Sequence, residues 1–453
     1  MFVKGHNLFK GVYSMREVVF IVDVSGQYAQ VTARRIRERE VYCEVVDLDK
    51  VKDSIALHRP VGIVLTGDDN CKELYTNGFR DYLIHADIPT LAIGAAAAAY
   101  EGLSYPFIIS LAPASLMGEA AMDEVSAFLY ETCGCIGEYT PADFANETIE
   151  RLKEEIKDKK VICGLSGGVD STVSAVMLHK AIGNNLTNIF VDNGLLRKDE
   201  GKNVIQMLKD SFDMNIIHVH AEDRFLEKLK GITVPAEKRM IIGALYIDIF
   251  REEAEKLGDI NLLAQGTIYT DVLESGHDGA KSIKMHHNVG GLPKNLPFEL
   301  VEPVRYLFKD EVRRVGVSLG LPEAFTKRQS FPGPGLGVRC LGELSKERLD
   351  VLRECDAIVR EEIEKTNLPI ERMQYFAVLP NLLSVGVEEG AGTYLETVAI
   401  RAIQSIDLMT ADYVRIPYDV LDTISNRIIS NIPQINRVVL DISPKPPSTI
   451  EWE

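Results

Sequence analysis

The sequence predicts an α/β protein in which two doubly wound parallel-sheet domains precede a small α+β domain. Short apolar runs alternate with amphipathic helical patterns in two successive blocks, which is typical of parallel strands joined by helical crossovers. A Pro/Gly cluster at residues 331–337 (FPGPGLG) ends this alternation. The length of 453 residues fits three domains of ~150 residues each.

The first domain is predicted over residues 17–137, after a polar and mixed stretch, residues 1–16, that we expect to be an N-terminal extension. Helical patterns separate its apolar runs, so one parallel sheet is expected. The predicted strands are residues 18–22, 43–46, 61–65 and 89–93.

The second domain is predicted over residues 138–334. It opens with a linker at residues 139–142 and a charged helix at 147–157. The strands that follow are predicted at residues 161–165, 188–191, 215–218 and 262–264. Ligands of such folds bind beyond the carboxyl ends of the strands, so a site is expected there.

The third domain is predicted over residues 335–453. Its first element is an amphipathic helix with an apolar face formed by Leu349, Leu352, Cys355 and Val359. Beyond it we predict strands at residues 375–379, 413–416 and 437–440, and helices at residues 397–406 and 420–429.

Composition narrows the classes of function. The formal net charge of −17 argues against non-specific binding to nucleic acid, although a local pocket can still bind one nucleotide. Seven cysteines without repeated spacing predict reduced thiols in a cytoplasmic protein rather than a disulfide framework. No apolar run approaches the ~20 residues of a membrane helix, so no membrane association is expected.

The motif that carries the most chemical information is SGGVDST, which directly follows the predicted strand at residues 161–165. Its glycines allow a tight turn, and the following helix offers unpaired N–H groups and a positive dipole end to an anion. Hydroxyl donors from the serines and threonine complete a site suited to phosphate. The residues are Ser166, Gly167, Gly168, Val169, Asp170, Ser171 and Thr172.

The chain resembles the N-type ATP pyrophosphatases through SGGVDS and, among them, the GMP synthase family from about residue 140 to the end. The matching strings are FVDNGLLR at residues 190–197, AQGTIY at 264–269, HHNVGGLP at 286–293, the 331–339 stretch, KPP at 445–447 and IEWE at 450–453. The resemblance implies an adenine-nucleotide α-hydrolase-like (PP-loop) second domain and a third domain that forms the homodimer and contacts the acceptor.

This resemblance implies an ATP-dependent C–N ligase. In the family, xanthosine 5′-monophosphate (XMP) attacks the α-phosphate of ATP, pyrophosphate leaves with Mg²⁺, and ammonia displaces AMP to give GMP. The implied catalytic residues are Asp271, Glu274, Lys284, His286 and His287, the last three in a lid that excludes water. The implied Mg²⁺ ligands are Asp170 and Asp271. ATP is further implied to contact Val191, Gln265, Gly266 and Thr267, and the acceptor to contact Arg328, Lys445, Ile450 and Glu451.

The first domain resembles a class I glutamine amidotransferase in outline but lacks its catalytic side chains. A glutaminase of this class needs a cysteine nucleophile activated by histidine and oriented by glutamate. The nucleophile position aligns with Gly94, and the downstream His-Pro-Glu reads Ala112-Pro113-Ala114. The block is also shorter than in the family. We therefore predict a degenerate domain without glutaminase activity, either a structural remnant or a regulatory site.

The third domain also departs from the family pattern, at residues 388–392. A family aspartate is replaced by Gly390 and a family arginine by Gly392. Arginine provides bidentate donors that no neighbour replaces. Three hypotheses therefore stay open: an ammonia-dependent enzyme making GMP, a paralogue that adenylates another oxo-purine with a nucleophile such as a sulfur donor, and a non-catalytic nucleotide-binding scaffold.

Overall fold

The computed structural model describes residues 17–23, 29–67, 78–94, 96, 119–258, 260, 262–275, 298–388, 390–405 and 410–453. The described residues fall into two compact units that divide between Asn146 and Glu147. Each unit is built around its own sheet or sheets. Within the described residues, no helix is long and apolar enough to cross a membrane.

The first unit contains a four-stranded parallel sheet in the order β2-β1-β3-β4. Its described strand residues are mostly buried, except along the edge strand β2. The four predicted strands are confirmed, as β1 (Val19–Asp23), β2 (Cys43–Asp47), β3 (Gly62–Gly67) and β4 (Thr90–Gly94). The helices are α1 (Ala29–Arg37), α2 (Val51–His58), α3 (Phe79–Ala86) and α4 (Glu119–Ala127), which continues as a π-helical turn, Phe128–Thr132.

Helix α5 (Pro141–Ile156) spans the division between the units and corrects the predicted linker. The linker prediction was wrong from residue 141 onward, because Pro141 occupies the first helical position, where a missing N–H costs nothing. The hydroxyl of Thr140 accepts the Asp143 N–H at 3.2 Å and caps the helix.

The second unit contains a five-stranded parallel sheet in the order β7-β6-β5-β8-β9. Four strands match the predictions, and β9 was not predicted. The strands are β5 (Val161–Leu165), β6 (Leu186–Asp192), β7 (Ile216–His220), β8 (Leu262–Ala264) and β9 (Glu299–Val301). The helices are α6 (Val169–Ile182), α7 (Glu200–Phe212), α8 (Glu222–Leu229), α9 (Pro235–Leu257), α10 (Tyr269–Ser275), α11 (Lys309–Ser318) and α12 (Glu323–Thr326).

The same unit includes the C-terminal sheet, in which long β12 pairs with every other strand. The predicted helix at residues 397–406 is wrong, because that segment lies mainly in β12. Its side chains from Thr397 to Ile403 are buried on both faces, and such a run suits a central strand. The elements are α13 (Lys346–Glu364), β10 (Met373–Val378), β11 (Leu383–Glu388), β12 (Ala391–Gln404), β13 (Asp412–Tyr413), α14 (Tyr418–Asn431) and β14 (Ile435–Asp441).

The Pro/Gly cluster at residues 331–337 leads into a short 3-10 turn, Gly335–Val338. Gly335 has φ +62°, and a Cβ there would lie 2.2 Å from the carbonyl oxygen of Leu195. Only glycine allows both the backbone angle and this close approach. The cluster is therefore a tightly packed turn within one compact unit, and the domain boundary predicted beside it remains a prediction.

Candidate functional site

The site lies where the order of the parallel strands reverses. From β5 the chain moves outward to β6 and β7, then returns to the other side of β5 for β8 and β9. Such a switch point forms a ligand crevice at the carboxyl edge of the sheet, beside the loops that follow β5 and β8. The loop after β5 is SGGVDST, and the loop after β8 is Gln265–Gly266–Thr267, so both predicted ATP segments meet at this crevice.

The loop after β5 is held by hydrogen bonds among its own residues. The hydroxyls of Ser166 and Ser171 lie 3.0 Å apart, and the Gly168 N–H donates to the Ser166 hydroxyl at 3.2 Å. Gly167 adopts φ +78°, which the tight turn requires. Helix α6 begins at Val169, so its first-turn N–H groups face the crevice and suit an anion.

Gly266 shows how closely the second loop approaches the first. A Cβ on Gly266 would lie 2.6 Å from the backbone nitrogen of Ser171 and 2.8 Å from the carbonyl carbon of Asp170. Both neighbours are backbone atoms, which cannot move aside as a flexible side chain could. The glycine thus allows the two loops to pack directly against each other.

Asp170 forms an ion pair with a lysine that the sequence analysis missed. The Nζ of Lys309 lies 2.5 Å from Asp170 Oδ2. The other oxygen, Oδ1, is buried and has no hydrogen-bond partner among the described residues. Lys309 is the first residue of α11, where the helix dipole disfavours a cation. Asp170 supplies the anionic partner that this placement requires, and no local feature of the sequence indicated the pair.

Helix α10, which carries Asp271 and Glu274, starts in the same corner. The Tyr269 N–H donates to the Leu307 carbonyl at 2.8 Å, and the rings of Tyr269 and Phe308 pack edge to face at 5.2 Å. The Asp271 carboxylate accepts the Ile268 N–H at 3.0 Å, so it also caps this helix. The segment with Lys284, His286 and His287, like the Glu274 side chain, lies outside the described residues.

The remaining predicted ATP residues lie near the carboxyl ends of β6 and β8. Val191 is buried near the end of β6, and Thr267 is buried in the loop after β8. The Gln265 N–H donates to the Val301 carbonyl at 2.9 Å, which ties that loop to β9. The assignment of these residues to ATP binding remains a prediction.

The predicted acceptor residues do not form one cluster of free side chains. Glu451 makes a two-point ion pair with the fully buried Arg339, at 2.8 and 2.9 Å. Arg328 lies over the Phe325 ring and 3.5 Å from Glu200, and its burial lowers the pKa of its guanidinium. Ile450 packs against a small apolar cluster, and Lys445 pairs through its backbone with Ala411.

The C-terminal tail is anchored by buried basic residues that the sequence analysis missed. Lys238 is fully buried, and its Nζ lies 2.6 Å from Glu453 Oε2. Arg401 is also buried and donates to the Ser443 carbonyl at 2.6 Å and the Thr449 carbonyl at 2.9 Å. Buried arginine and lysine in a helix or strand required anionic partners, but sequence spacing could not identify the tail as that partner.

The edited segment includes the last residue of β11 and the first two residues of β12. Glu388 pairs with Ala391, and Gly390, just before β12, adopts φ +81°. Glycine is favoured between paired strands because it accepts positive φ. The replacement of aspartate by glycine at this position is therefore consistent with a tight hairpin turn.

In the first unit, the position predicted for a nucleophile is the last residue of β4. Gly94 has φ +65°, so the backbone turns sharply where a glutaminase would present its cysteine. Glycine supplies no side chain there, and Ala112 and Ala114 lie outside the described residues. Two described thiols of this unit are disfavoured as nucleophiles, because burial raises the pKa of Cys133 to about 12 and that of Cys135 to about 11.

Comparison with known proteins agrees with the two halves of the second unit. A family model for the GMP synthase C terminal domain matches residues 361–452, and one for NAD synthase matches residues 144–238. Among solved structures, NMN synthetase from Francisella tularensis is 16% identical, with a TM-score of 0.34. The match covers 44% of this chain and 78% of the NMN synthetase chain.

Curated relatives match this chain over nearly its whole length. The GMP synthases (glutamine-hydrolyzing) of Alkaliphilus metalliredigens and Clostridium botulinum are each 44% identical, over 97% of this chain and 100% of theirs. The first alignment spans 510 positions, more than the 453 residues here. The relatives therefore carry segments that this chain lacks, consistent with a shortened first domain. With this identity over nearly the whole chain, the protein belongs to the GMP synthase family.

Proposed function

We propose that this chain catalyses the ATP-dependent amination of XMP to GMP through an adenylated intermediate, releasing AMP and pyrophosphate. The observation that carries the proposal is the phosphate-type loop at the β5/β8 switch point, packed against Gly266 and flanked by the Asp170–Lys309 pair. The relatives named GMP synthase support the choice of substrates.

The loop after β5 would bind the phosphates of ATP, and neighbouring cationic and N–H groups would stabilise the negative charge that develops during the reaction. The acceptor oxygen bonds to the α-phosphorus as the bond to pyrophosphate breaks, and negative charge grows on the leaving oxygens. Backbone N–H groups at the start of α6 and the Lys309 ammonium are the described donors placed to stabilise that charge. Ammonia then forms the new C–N bond as AMP leaves.

The donor set also fits Mg²⁺, which we expect to accompany ATP. Carboxylate oxygens are the ligands that Mg²⁺ prefers, and Asp170 Oδ1 is buried and has no hydrogen-bond partner among the described residues. Asp170 and Asp271 would therefore hold the ion. When bound, Mg²⁺ neutralises charge on the leaving pyrophosphate.

The proposed roles of the remaining site residues rest on the family motif. Glu274 would assist adenylation, and Lys284, His286 and His287 would form the lid that excludes water from the adenylate. Arg328, Lys445, Ile450 and Glu451 would bind the acceptor. Because Glu451 already holds Arg339, its part in acceptor binding would include orienting that buried guanidinium.

We further propose that the nitrogen source is ammonia, free or from a separate glutaminase. Glutamine hydrolysis by a class I domain needs a thiol at the turn after the nucleophile strand. That position is Gly94, a residue without a side chain. The first unit would then serve as a structural or regulatory remnant.

A homodimer formed through the C-terminal sheet is also proposed, in line with the family resemblance. On β11, Leu383, Val385 and Val387 alternate along one face and are 46%, 68% and 79% exposed. Tyr394 pairs directly with Val385 and is 63% exposed. A contiguous apolar face of this kind is typical of a surface that a second copy covers. Sedimentation equilibrium would test it, with Val385→Lys expected to shift the mass from two chains to one.

A product assay tests the proposed function. Purified protein is mixed with ATP, Mg²⁺ and XMP, with either ammonium or glutamine, and the products are identified by mass. We expect GMP and AMP with ammonium and none above background with glutamine. GMP from glutamine would contradict only the proposal that the first unit lacks glutaminase activity, and the proposal of GMP synthesis would stand. Absence of GMP from folded, ATP-binding protein would contradict the choice of XMP.

The hairpin at residues 388–392 favours one alternative acceptor class. Gly390 and Gly392 replace a family aspartate and arginine, so the third domain lacks one carboxylate acceptor and one bidentate donor of the family pattern. A paralogue that adenylates another oxo-purine nucleotide would show ATP-dependent AMP release with that purine and not with XMP. The same assay, repeated with a panel of purine nucleotides, distinguishes the two.

A further inference from the structure

A cluster of two histidines and one aspartate lies at the carboxyl ends of β6 and β7. In the parallel register, Asp192 pairs with His220 and Phe190 pairs with His218. Side chains two apart on a strand share a face, so Asp192, His218 and His220 project from the same face of two neighbouring strands. The register of the sheet, rather than a loop, therefore brings these groups together.

The distances within the cluster suit a shared cation better than a hydrogen bond. One ligand atom from each of the three side chains lies within 4.8 Å of the others. His218 Nε2 and Asp192 Oδ2 are 3.9 Å apart, which is too long for a hydrogen bond. Two ligands of one tetrahedral ion, with bonds of about 2.1 Å, lie ~3.4 Å apart. A small side-chain rotation would reach that separation.

The polar atoms of the cluster are oriented but not fully bonded. Asp192 Oδ1 accepts the Gly194 N–H at 3.2 Å, which fixes the carboxylate and leaves Oδ2 facing His218. His218 Nε2 is buried and has no hydrogen-bond partner in the described part of the chain. The His218 ring packs edge to face on Phe190 at 5.7 Å and lies 3.9 Å from the His220 ring. His220 is exposed, so an ion could enter from solvent.

We propose that Asp192, His218 and His220 form a binding site for a divalent transition-metal ion of the Zn²⁺ class. Two imidazole nitrogens and one carboxylate oxygen are a typical ligand set for Zn²⁺ and its neighbours, whereas Mg²⁺ prefers oxygen ligands. The site is therefore chemically distinct from the Mg²⁺ site proposed for ATP. Three protein ligands leave at least one coordination position for water.

The electrostatics of His218 support this assignment. Burial and the neighbouring His220 lower the pKa of His218 below its ordinary value. Metal ligation requires the neutral imidazole.

An ion here would stiffen the base of the ATP crevice. The His218 ring packs on the Phe190 ring, and the Phe190 ring also lies against the loop after β5. A Cβ added to Gly167 in that loop would lie 3.5 Å from the Phe190 ring. Beyond Asp192, the chain reaches Leu195, whose carbonyl accepts the Leu336 N–H at 2.7 Å. An ion that links β6 to β7 at Asp192 would therefore restrain both the packing of Phe190 on the loop after β5 and the hydrogen bond between Leu195 and Leu336. We expect Zn²⁺ to raise the melting temperature.

The test is a Zn²⁺ titration of the full chain after chelator treatment, in competition with a chromophoric chelator. Excess Mg²⁺ is present, and nucleotide is left out. The affinity of the tightest site is expected to fall at least about tenfold in His220→Gln and in Asp192→Asn. The matched control is His85→Gln, an exposed histidine of the first unit, which should leave the affinity unchanged. Equal affinity in all four proteins would refute the proposal.

Two further measurements identify the ligands. Co²⁺ in place of Zn²⁺ should give visible bands without thiolate charge transfer, and a sulfur-to-metal band would assign the ion to cysteine instead. If His220→Gln does not fold, diethyl pyrocarbonate labelling of the unaltered protein provides the answer. Zn²⁺ should protect His218 and His220 from modification, and unchanged labelling of both would overturn the assignment.

Discussion

Two turns in this molecule occupy equivalent places in different sheets, and their chemistry has diverged. The loop after β5 and the turn after β4 both leave the carboxyl end of a parallel strand, and both use a left-handed glycine, Gly167 at φ +78° and Gly94 at φ +65°. The first is lined with hydroxyls, N–H groups and an ion pair. The turn after β4 has a glycine, Gly94, at the position where a class I glutamine amidotransferase needs a cysteine thiol.

The comparison shows that backbone shape and chemical function separate easily. A tight turn at a strand end depends on glycine and on packing, so it persists without a catalytic side chain. Chemistry depends on a few polar groups, and the proposed loss of glutaminase activity rests on the absence of three of them. The predictions below alter one of these two elements at a time, in order of expected effect.

The largest effect is expected from Asp170→Asn. The change removes the negative charge that holds Lys309 and faces the proposed Mg²⁺ site. Adenylation, measured as pyrophosphate release, should slow by about 10²–10³-fold. The matched control is Asp213→Asn, at the exposed left-handed end of α7, where asparagine fits well. If both variants release pyrophosphate at the unaltered rate, Asp170 has no role in the reaction.

Gly266→Ala changes backbone spacing and leaves every polar group in place. The added Cβ would meet the backbone of Ser171 at 2.6 Å, so the two loops must separate. A displacement of this size is expected to lower kcat/KM for ATP by about 10–100-fold. Gly243→Ala is the control, because it lies inside α9 with nothing within 4 Å of the new Cβ. An unchanged kcat/KM in Gly266→Ala would show that the close approach is not needed.

Glu451→Gln tests whether the acceptor half depends on an ion pair rather than a free side chain. Arg339 is fully buried, and Glu451 is its two-point partner. Weakening a hydrogen bond to a buried charge should lower the free energy of unfolding by about 2 kcal/mol. Chemical denaturation measures this, with exposed Glu255→Gln in α9 as the control. Equal stability of the two variants would contradict the anchoring role.

The sequence predicted the parallel sheets and the phosphate-type loop because both depend on local pattern. Each strand of the first sheet is a short apolar run bounded by helical segments, and SGGVDST carries its own turn and helix start. Contacts between segments that are distant in sequence could not be predicted. Nothing near Lys309 in sequence identifies Asp170, which lies 139 residues away, and the Arg339–Glu451 pair is equally remote.

The error at β12 has a different physical origin. Residues 397–406 contain alanines and isoleucines with charged and polar residues between them, a composition that a helix also accepts. What decides the outcome is that β10, β13 and β14 all pair with this segment. Burial on both faces removes the alternation that marks an exposed strand, so periodicity alone could not distinguish the two structures.

Gly94→Cys is the sharpest test of the divergence between the turns, although its expected effect is the smallest. It restores the nucleophile to a turn whose backbone is already shaped for one, but Ala112 and Ala114 still replace the base and its partner. Glutamine-dependent product should stay at background, while a side chain at positive φ lowers stability by about 1–2 kcal/mol. Gly78→Cys, another left-handed glycine of this unit with nothing within 4 Å, controls for that cost. Glutamine-dependent product from Gly94→Cys would mean that a base survives in the first unit, and the domain would then be one substitution away from a working glutaminase.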